Sequence, residues 1–477
     1  MHHLKDKAKS GLLWSIFDSF FLKGLLFVVQ LILAKKLGPN VFGMMGMIAI
    51  IINLSSLIID SGLGASIIRT EKVDDSDYAT VFYTNVFFAL FLYVLFFFLA
   101  PYFALFYHQP LLIDIIRIYS LGFIISSFNV VQLAILNKKM EFKKVALFNS
   151  VGTLIGIVIG LVLCYKGFAI WSLVYMYLGT QCVSSLMYYT FSNWRPKLLF
   201  SKSKFRYHLN FGSKLVCSGI IDILFKNIYF VIIGKCFSVK MLGYYERATA
   251  YNQYPVSTIS GIISTVSFPL LASIKNDPEK VSEVYRLIFK TTFFVTAPIM
   301  VMLAALAPEL FSFVLGTKWL PAVPFFQIIC IANILYPLQV FNVNILKVYG
   351  QSNLFLKLEI IKKLFLLLAV VLTYQFGIYV FVASTIINAL VGYMLNSHYC
   401  GKFINYKTKE QFLDLVPTIL CSIVLYVSIL LFKNLEFHFS QGNTIVVSLV
   451  IGVVVYIVAN HLHKSPIYKY LLKSYVS

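Results

Sequence analysis

Long apolar runs separated by short polar breaks dominate the chain. Fourteen can be drawn, at 11–34, 41–66, 79–105, 113–136, 145–165, 168–191, 209–233, 243–270, 287–307, 322–346, 354–374, 377–398, 414–432 and 443–462. Each is near the roughly 20 residues that a helix needs to cross a bilayer. Hydrocarbon offers the backbone no hydrogen-bond partner, so such runs fold as helices. The prediction is an all-α membrane protein of about 14 transmembrane helices. One run differs from the rest. Tyr244 to Pro269 is apolar enough to cross, yet it carries Glu246, Thr249, Gln253, Ser257, Ser260, Ser264 and Ser267, each three or four residues after the last. That spacing is one face of a helix. Lipid does not tolerate such a face, because an unpartnered polar group in hydrocarbon costs several kcal/mol. The seam therefore looks into a wet cavity or against other helices, and small-residue packing between helices accounts for the serines equally well.

A second stripe lies two hundred residues earlier. Asn53, Ser56, Asp60 and Gly64 also follow helical spacing, and Asn53, Asp60 and Gly64 align with Gln253, Ser260 and Ser264. At the same offset the segment Ala34 to Met44 aligns with Gly234 to Tyr244, matching Lys35 with Lys235 and Gly43 with Gly243. Further on, Tyr165-Lys166-Gly167-Phe168 falls on Gln375-Phe376-Gly377-Ile378. A six-helix module is thus duplicated. The expected organisation is an N-terminal six-helix bundle over 1–191, a linker over 192–208, a C-terminal six-helix bundle over 209–400, and two extra helices with a basic tail over 401–477. An even number of spans per module sends both copies in from the same side, a parallel repeat about an axis along the membrane normal. Transporters of alternating-access type are built this way, with their site between the halves.

Composition agrees. Hydrophobic residues make up 59% of the chain, and mean hydropathy is +0.83. The net charge of +21 does not require nucleic acid. Most Lys and Arg fall in the loops that would face the cytoplasm with both termini inside, as the positive-inside rule has it. Trp14, Trp171 and Trp194 sit at run ends, where interfacial aromatics belong. Met1 to Ser10 is short and basic and enters the first run directly, so no cleavable signal is expected. The seven Cys are scattered singly, which suggests neither a disulfide frame nor a metal knuckle.

Several motifs together resemble the bacterial polysaccharide exporters, the O-antigen and colanic-acid-type repeat-unit flippases of the multidrug/oligosaccharidyl-lipid/polysaccharide flippase superfamily. They are Gly11-Leu12-Leu13-Trp14-Ser15; Leu33-Ala34-Lys35-Lys36-Leu37-Gly38-Pro39 with Phe42-Gly43; Asp60-Ser61-Gly62-Leu63-Gly64-Ala65; Trp194-Arg195-Pro196; Ile233-Gly234-Lys235 with Leu242 to Ala248; Ser267-Phe268-Pro269; and Gly316-Thr317-Lys318-Trp319. Lys36 departs from the pattern, where Arg is more usual; it keeps the charge and loses the planar fork. The resemblance implies an undecaprenyl-diphosphate-linked oligosaccharide as substrate, turned across the bacterial inner membrane for O-antigen, capsule or exopolysaccharide synthesis. It also implies membrane lipid, polymerase and chain-length machinery as partners, and neither cofactor nor nucleic acid.

A diphosphate and several sugars need a cationic, hydrated path while the prenyl tail stays in lipid. Charges inside spans are costly and point to function. Lys23 lies near the middle of the first run with no acid three or four residues away, and is the first candidate for the diphosphate. Lys226 has Asp222 four residues back, so a local ion pair competes with a substrate role. Arg247, beside Glu246, clamps phosphate, gates the outer mouth or anchors at headgroups. Asn53, Gln253, Ser257 and Ser260 are the polar contacts for sugars. Asp60, Asp18 and Asp222 are candidates for a coupling ion, and a helix-capping role explains Asp60 as well. Arg117 is expected to pair with Asp114 or snorkel, Lys214 and Lys290 to snorkel, and Lys362 to pair with Glu359.

Other signals are weaker. Gly152, Gly156 and Gly160 read as close helix packing. Asp75-Ser76-Asp77 resembles a metal-binding triplet of glycosyltransferases, but its short loop leaves no room for a nucleotide-binding domain. His461 and His463 lack further ligands. Neither a phosphate-binding Gly loop nor a nucleophile elbow occurs, so energy has to come from a gradient, the membrane potential or consumption of product. A drug or cation antiporter of the same superfamily would need an acidic cavity. A membrane-embedded polysaccharide polymerase would need a large catalytic loop, and no loop here exceeds about 20 residues.

Overall fold

The computed structural model describes residues 22–60, 62–435 and 439–470, with the side chain of Asp60 outside that set. Helices alone form the regular structure among the described residues. In chain order the first are α1 Lys23–Leu37, α2 Pro39–Asp60, α3 Leu63–Arg69, α4 Asp75–Tyr107, α5 Leu112–Tyr119, α6 Leu121–Ser127, α7 Val130–Lys138, α8 Phe142–Tyr165, α9 Ile170–Phe191, α10 Lys202–Lys226 and α11 Ile228–Cys236. They continue with α12 Val239–Ser273, α13 Pro278–Ala305, α14 Ala307–Leu310, α15 Val323–Asn333, α16 Tyr336–Val348, α17 Ser352–Thr373, α18 Ile378–Ile404, α19 Thr408–Asn434 and α20 Gln441–Leu462.

Among the described residues nine helical stretches are long and apolar enough to cross a membrane, or eleven if the bent pairs 112–138 and 202–236 each count as one. Three predicted runs remain. One is α1, whose run begins outside the described residues; the others are α9 and α17, each of 22 residues. α17 is made more polar by Lys357, Glu359, Lys362 and Lys363. Large apolar side chains such as Phe98, Leu364, Val371 and Leu431 are exposed. A surface of that kind suits a bilayer rather than water.

The chain forms two compact units, 1–243 and 244–477. By compactness, therefore, α10 and α11 belong to the first unit, although the sequence repeat starts its second copy with them. In bilayer, apolar burial gives little drive, so packing rests on close backbone approach and hydrogen bonds. The first unit shows both. On α8, a Cβ at Gly156 would meet Met176 O at 2.7 Å and one at Gly160 would meet Met176 Cβ at 2.8 Å, both on α9. Gly38 has φ of 84°, a left-handed conformation that suits glycine, and it turns the chain from α1 into Pro39, the first residue of α2. The matched glycines of the repeat meet at one crossing. A Cβ on Gly43 would overlap the carbonyl of Val239, and a Cβ on Gly243 would overlap the carbonyl of Pro39. α2 and the start of α12 therefore touch backbone to backbone, each through its own copy of the same glycine.

The core of the first unit includes Leu63, Ile67, Val81, Phe82, Val131, Ala134 and Ile135, contributed by α3, α4 and α7. That of the second centres on Tyr285, Phe289, Phe293, Phe341 and Tyr406. The helices that follow the second module, α19 and α20, are part of this unit. Arg286 and Lys290 of α13 pair with Glu410 and Asp414 of α19 at 2.9 and 2.8 Å. At the other end Lys433 of α19 pairs with Glu309 at 2.7 Å. Lys290 is thus an ion-pair partner, not a snorkelling residue.

Candidate functional site

The polar seam lies on α12, a helix of 35 residues with Pro255 and Pro269 inside it. Gln253 and Ser257 are exposed, Ser264 is half-buried, and Ser260 and Ser267 are buried. Ser257 donates its hydroxyl to Tyr254 O at 3.2 Å, which satisfies it within its own helix. Among the described residues the Ser260 hydroxyl has no protein partner. Ser267 accepts from Asn344 Nδ2 at 3.3 Å. One stretch of the seam is therefore open and another is tied into the second unit. Arg247, though adjacent in sequence, is only 7% exposed. Its guanidinium forks onto both carboxylate oxygens of Glu246 and lies 5.6 Å from the ring of Tyr251. To grip a phosphate it would first have to release that carboxylate.

In the first unit, Lys23 opens α1 and is exposed, with no ion pair or hydrogen bond among the described residues. Asn53 is exposed on α2 and donates from Nδ2 to Asn227 Oδ1 at 3.3 Å. Asn227 marks the 42° bend between α10 and α11 and donates to Ile223 O at 2.8 Å. Beside that bend Lys226 pairs with Asp222 at 2.7 Å, with side-chain exposures of 70% and 45%. The structure thus gathers Asn53, Asp222 and Lys226 around one bend and realises the local ion pair that the spacing allows. Asp18 lies outside the described residues, and so does the side chain of Asp60.

Two further charges within the predicted runs have partners. Lys362 pairs with Glu359. Arg117 donates from Nε to Phe97 O at 3.3 Å and stacks 4.1 Å from the Phe97 ring. Its partner is thus α4 rather than Asp114. The Asp75-Ser76-Asp77 triplet opens α4. Asp74 caps that helix, its carboxylate accepting from the backbone N–H of Ser76 and Asp77, with Asp77 returning the bond to Asp74 N at 3.0 Å. Hydrogen bonds from Lys204 and from the Asp77 backbone hold the Asp74 carboxyl down at about 2.

Beside this cap lies a cluster that sequence reasoning missed. His208 of α10 is 1% exposed. Its Nε2 is 3.1 Å from Asp77 Oδ1, and its Nδ1 is 2.7 Å from Ser66 Oγ. Lys204, one turn earlier, bonds Asp77 at 2.9 Å and also Asp74. The partners are separated by more than 120 residues in sequence, so no local spacing signals them. A lone His at the start of an apolar run was the available hint.

The second unit also holds an apolar groove of about 1140 Å³, bordered by Phe293 and Met300 of α13, Ile331 of α15, Leu390 of α18, and Phe412 and Tyr426 of α19.

Among the described residues, an all-helical chain with nine to eleven stretches able to cross a bilayer, two of them bent, defines a multi-pass membrane protein. The fold is similar to that of a structure titled lipid II flippase MurJ, inward closed conformation, with a TM-score of 0.78 over 97% of this chain and 100% of that one at 18% identity. It is also similar to an inward-facing multidrug resistance MATE family transporter, at a TM-score of 0.60 over 83% and 99% of the two chains and 16% identity. Residues 32–324 match the family described as polysaccharide biosynthesis protein, and the chain belongs to that family. Among curated relatives it is similar to the lipopolysaccharide biosynthesis protein WzxC of Escherichia coli (strain K12), 24% identical over 70% of this chain and 68% of that one. It is likewise similar to the succinoglycan biosynthesis transport protein ExoT of Rhizobium meliloti (strain 1021), 25% identical over 71% and 69%.

Proposed function

We propose that this chain is a flippase that carries an undecaprenyl-diphosphate-linked oligosaccharide repeat unit across the bacterial inner membrane by alternating access. It is a transporter, not an enzyme, and serves the synthesis of surface polysaccharide: O-antigen, capsule or exopolysaccharide. The observation that carries this reading is the likeness to relatives named for lipopolysaccharide biosynthesis and succinoglycan transport over about two thirds of each chain. The substrate class is the one that the chemistry supports. The exposed ammonium of Lys23 suits a diphosphate. Exposed amides and hydroxyls at Asn53, Gln253 and Ser257 suit sugar hydroxyls, and Ser260 offers a further hydroxyl. The apolar groove along α19 suits a prenyl tail that never leaves hydrocarbon.

The finer architecture belongs to the same reading. Fourteen helices cross the membrane, six in each module (1–191 and 209–400, joined by 192–208) and two in 401–477, with both termini in the cytoplasm. Lys226 and Arg247 exchange their carboxylates for substrate phosphate during the cycle. Asp18, Asp60 and Asp222 are the carboxylates available to a coupling ion, and polymerase and chain-length proteins receive the product outside. The test replaces Lys23 by Ala in cells and follows the leaflet in which the lipid-linked unit accumulates. Accumulation on the cytoplasmic side, with surface polymer down on the order of tenfold, is expected for the loss of one charge-assisted contact. Accumulation in the outer leaflet, or unimpaired polymer, overturns the role of Lys23.

A further inference from the structure

We propose that His208, held between Asp77 and Ser66, is a proton-binding site that latches α10 onto α3 and α4. Each arm of the latch is a hydrogen bond with known partners. With a neutral ring, Nε2–H donates to Asp77 Oδ1 and Nδ1 accepts from the Ser66 hydroxyl. With an imidazolium, both nitrogens donate and Ser66 accepts. His208 and Ser66 are 1% and 2% exposed, and Asp77 is 6% exposed. An acid, an imidazole and a hydroxyl in this order also form a nucleophile relay, but a serine so enclosed admits no substrate.

Charge balance selects the proton as ligand. Asp74 and Asp77 share a single cation, Lys204. With a neutral ring the cluster is one negative charge in excess, and an imidazolium removes the excess exactly where Asp77 is shielded from water. The other charges around the site are already engaged. Lys197 pairs with Asp75. Lys138 of α7 sits on the carbonyl of Thr70 beyond the end of α3, and Arg69 of α3 lies 4.7 Å from the ring of Phe211 on α10. Tyr207 packs edge-on to His208 at 5.2 Å, and Tyr78 of α4 lies one residue beyond Asp77. Among the described residues no other carboxylate or cation bonds the imidazole.

The second face of the joint is apolar. A Cβ on Gly62 would meet Gly212 Cα at 2.9 Å, and a Cβ on Gly212 would meet Gly62 carbonyl carbon at 2.9 Å. Backbone contact of this kind brings the helices close without holding them there, so the polar latch supplies the selectivity of the joint. Binding of one proton tightens it, and loss of that proton leaves a buried carboxylate under-compensated and frees α10 to part from α3. The latch therefore closes as the imidazole takes up a proton and opens as it gives one up.

Hydrogen exchange on the full chain in lipid nanodiscs, without substrate, reads the joint directly. Exchange of peptides covering 203–216, corrected for intrinsic base catalysis, should lose protection as pH rises between about 5.5 and 8. The slope should approach tenfold per pH unit at most, the limit for one linked proton. His208→Gln should flatten the profile, while His461→Gln should leave it unchanged. Where His208→Gln does not fold, Ser66→Ala serves instead and should displace the midpoint. A flat wild-type profile, a wild-type slope in His208→Gln, or an unmoved midpoint in Ser66→Ala overturns the latch. Because no glycolipid is present, this result stands apart from the outcome of the Lys23→Ala test.

Discussion

The two polar stripes, on α2 with α3 and on α12, can be compared directly, because their sequences align at an offset of two hundred residues. The first comprises Pro39–Asp60 and Leu63–Arg69, parts of one apolar stretch over 39–69. The second runs unbroken for 35 residues, through two prolines. Proline removes a backbone donor and strains the preceding turn, so α12 carries inside its length a cost that α2, whose Pro39 stands at the first position, does not. The last part of the first stretch, 62–70, is held from elsewhere: His208 on Ser66, Gly212 against Gly62, and Lys138 on the carbonyl of Thr70. Along α12 the corresponding ties are Ser267 to Asn344 and Asn252 to Asn333, and Gln253 and Ser257 are left open. One sequence pattern therefore serves two ends. The end of the first stripe is pinned by distant polar partners, and the second is pinned at Asn252 and Ser267 while Gln253 and Ser257 stay exposed.

Substitutions can break that contrast or sharpen it. The largest effect is expected at the crossing that both copies share. Gly243→Leu should cost roughly 3 kcal/mol or abolish folding, since overpacking against a carbonyl has no rotamer remedy. Gly261→Ala on the same helix meets nothing within 4 Å and should be neutral or stabilising by about 0.5–1 kcal/mol. Thermal melts in detergent separate the two. Next in size, Lys138→Met removes the cation at the end of α3 and should destabilise the first unit by about 1.5–3 kcal/mol, as expected for a charge-assisted bond. The same substitution approach applied to Ser260→Ala should raise stability by up to about 1 kcal/mol, because a buried hydroxyl without a protein partner is deleted. The smallest change in stability is expected for Gln253→Leu and Ser257→Leu, within about 0.5 kcal/mol. Transport of the lipid-linked unit should nevertheless fall; unchanged transport would make the open seam a mere surface.

What the sequence revealed follows the range of the forces involved. Helix positions were legible from apolar run length, because hydrocarbon leaves the backbone no alternative. Pairs within one turn were legible too: Asp222 with Lys226, Glu359 with Lys362. Glycine packing on α8 was read correctly from its spacing. Longer-range partners were not legible. Lys290 meets Asp414, and Arg117 meets the carbonyl of Phe97 in place of the nearby Asp114. His208 meets Ser66 and Asp77 across 142 and 131 residues. Spacing rules carry no information about such contacts, which are set only when helices pack. The seam on α12 was visible as a stripe, but the difference between its open and buried parts depends on which neighbours cover it.

The crossing of α2 with the start of α12 has a consequence for how such a chain can vary. Where two main chains touch with nothing between them, the separation is fixed by atomic radii. Leu242 packs its side chain over Gly46 one turn on, so the joint leaves little slack. It also cannot be altered gradually, because the smallest possible change at Gly43 or Gly243 is already a methyl group. A library randomised along both helices should return almost any apolar residue at most positions and a single letter at these two.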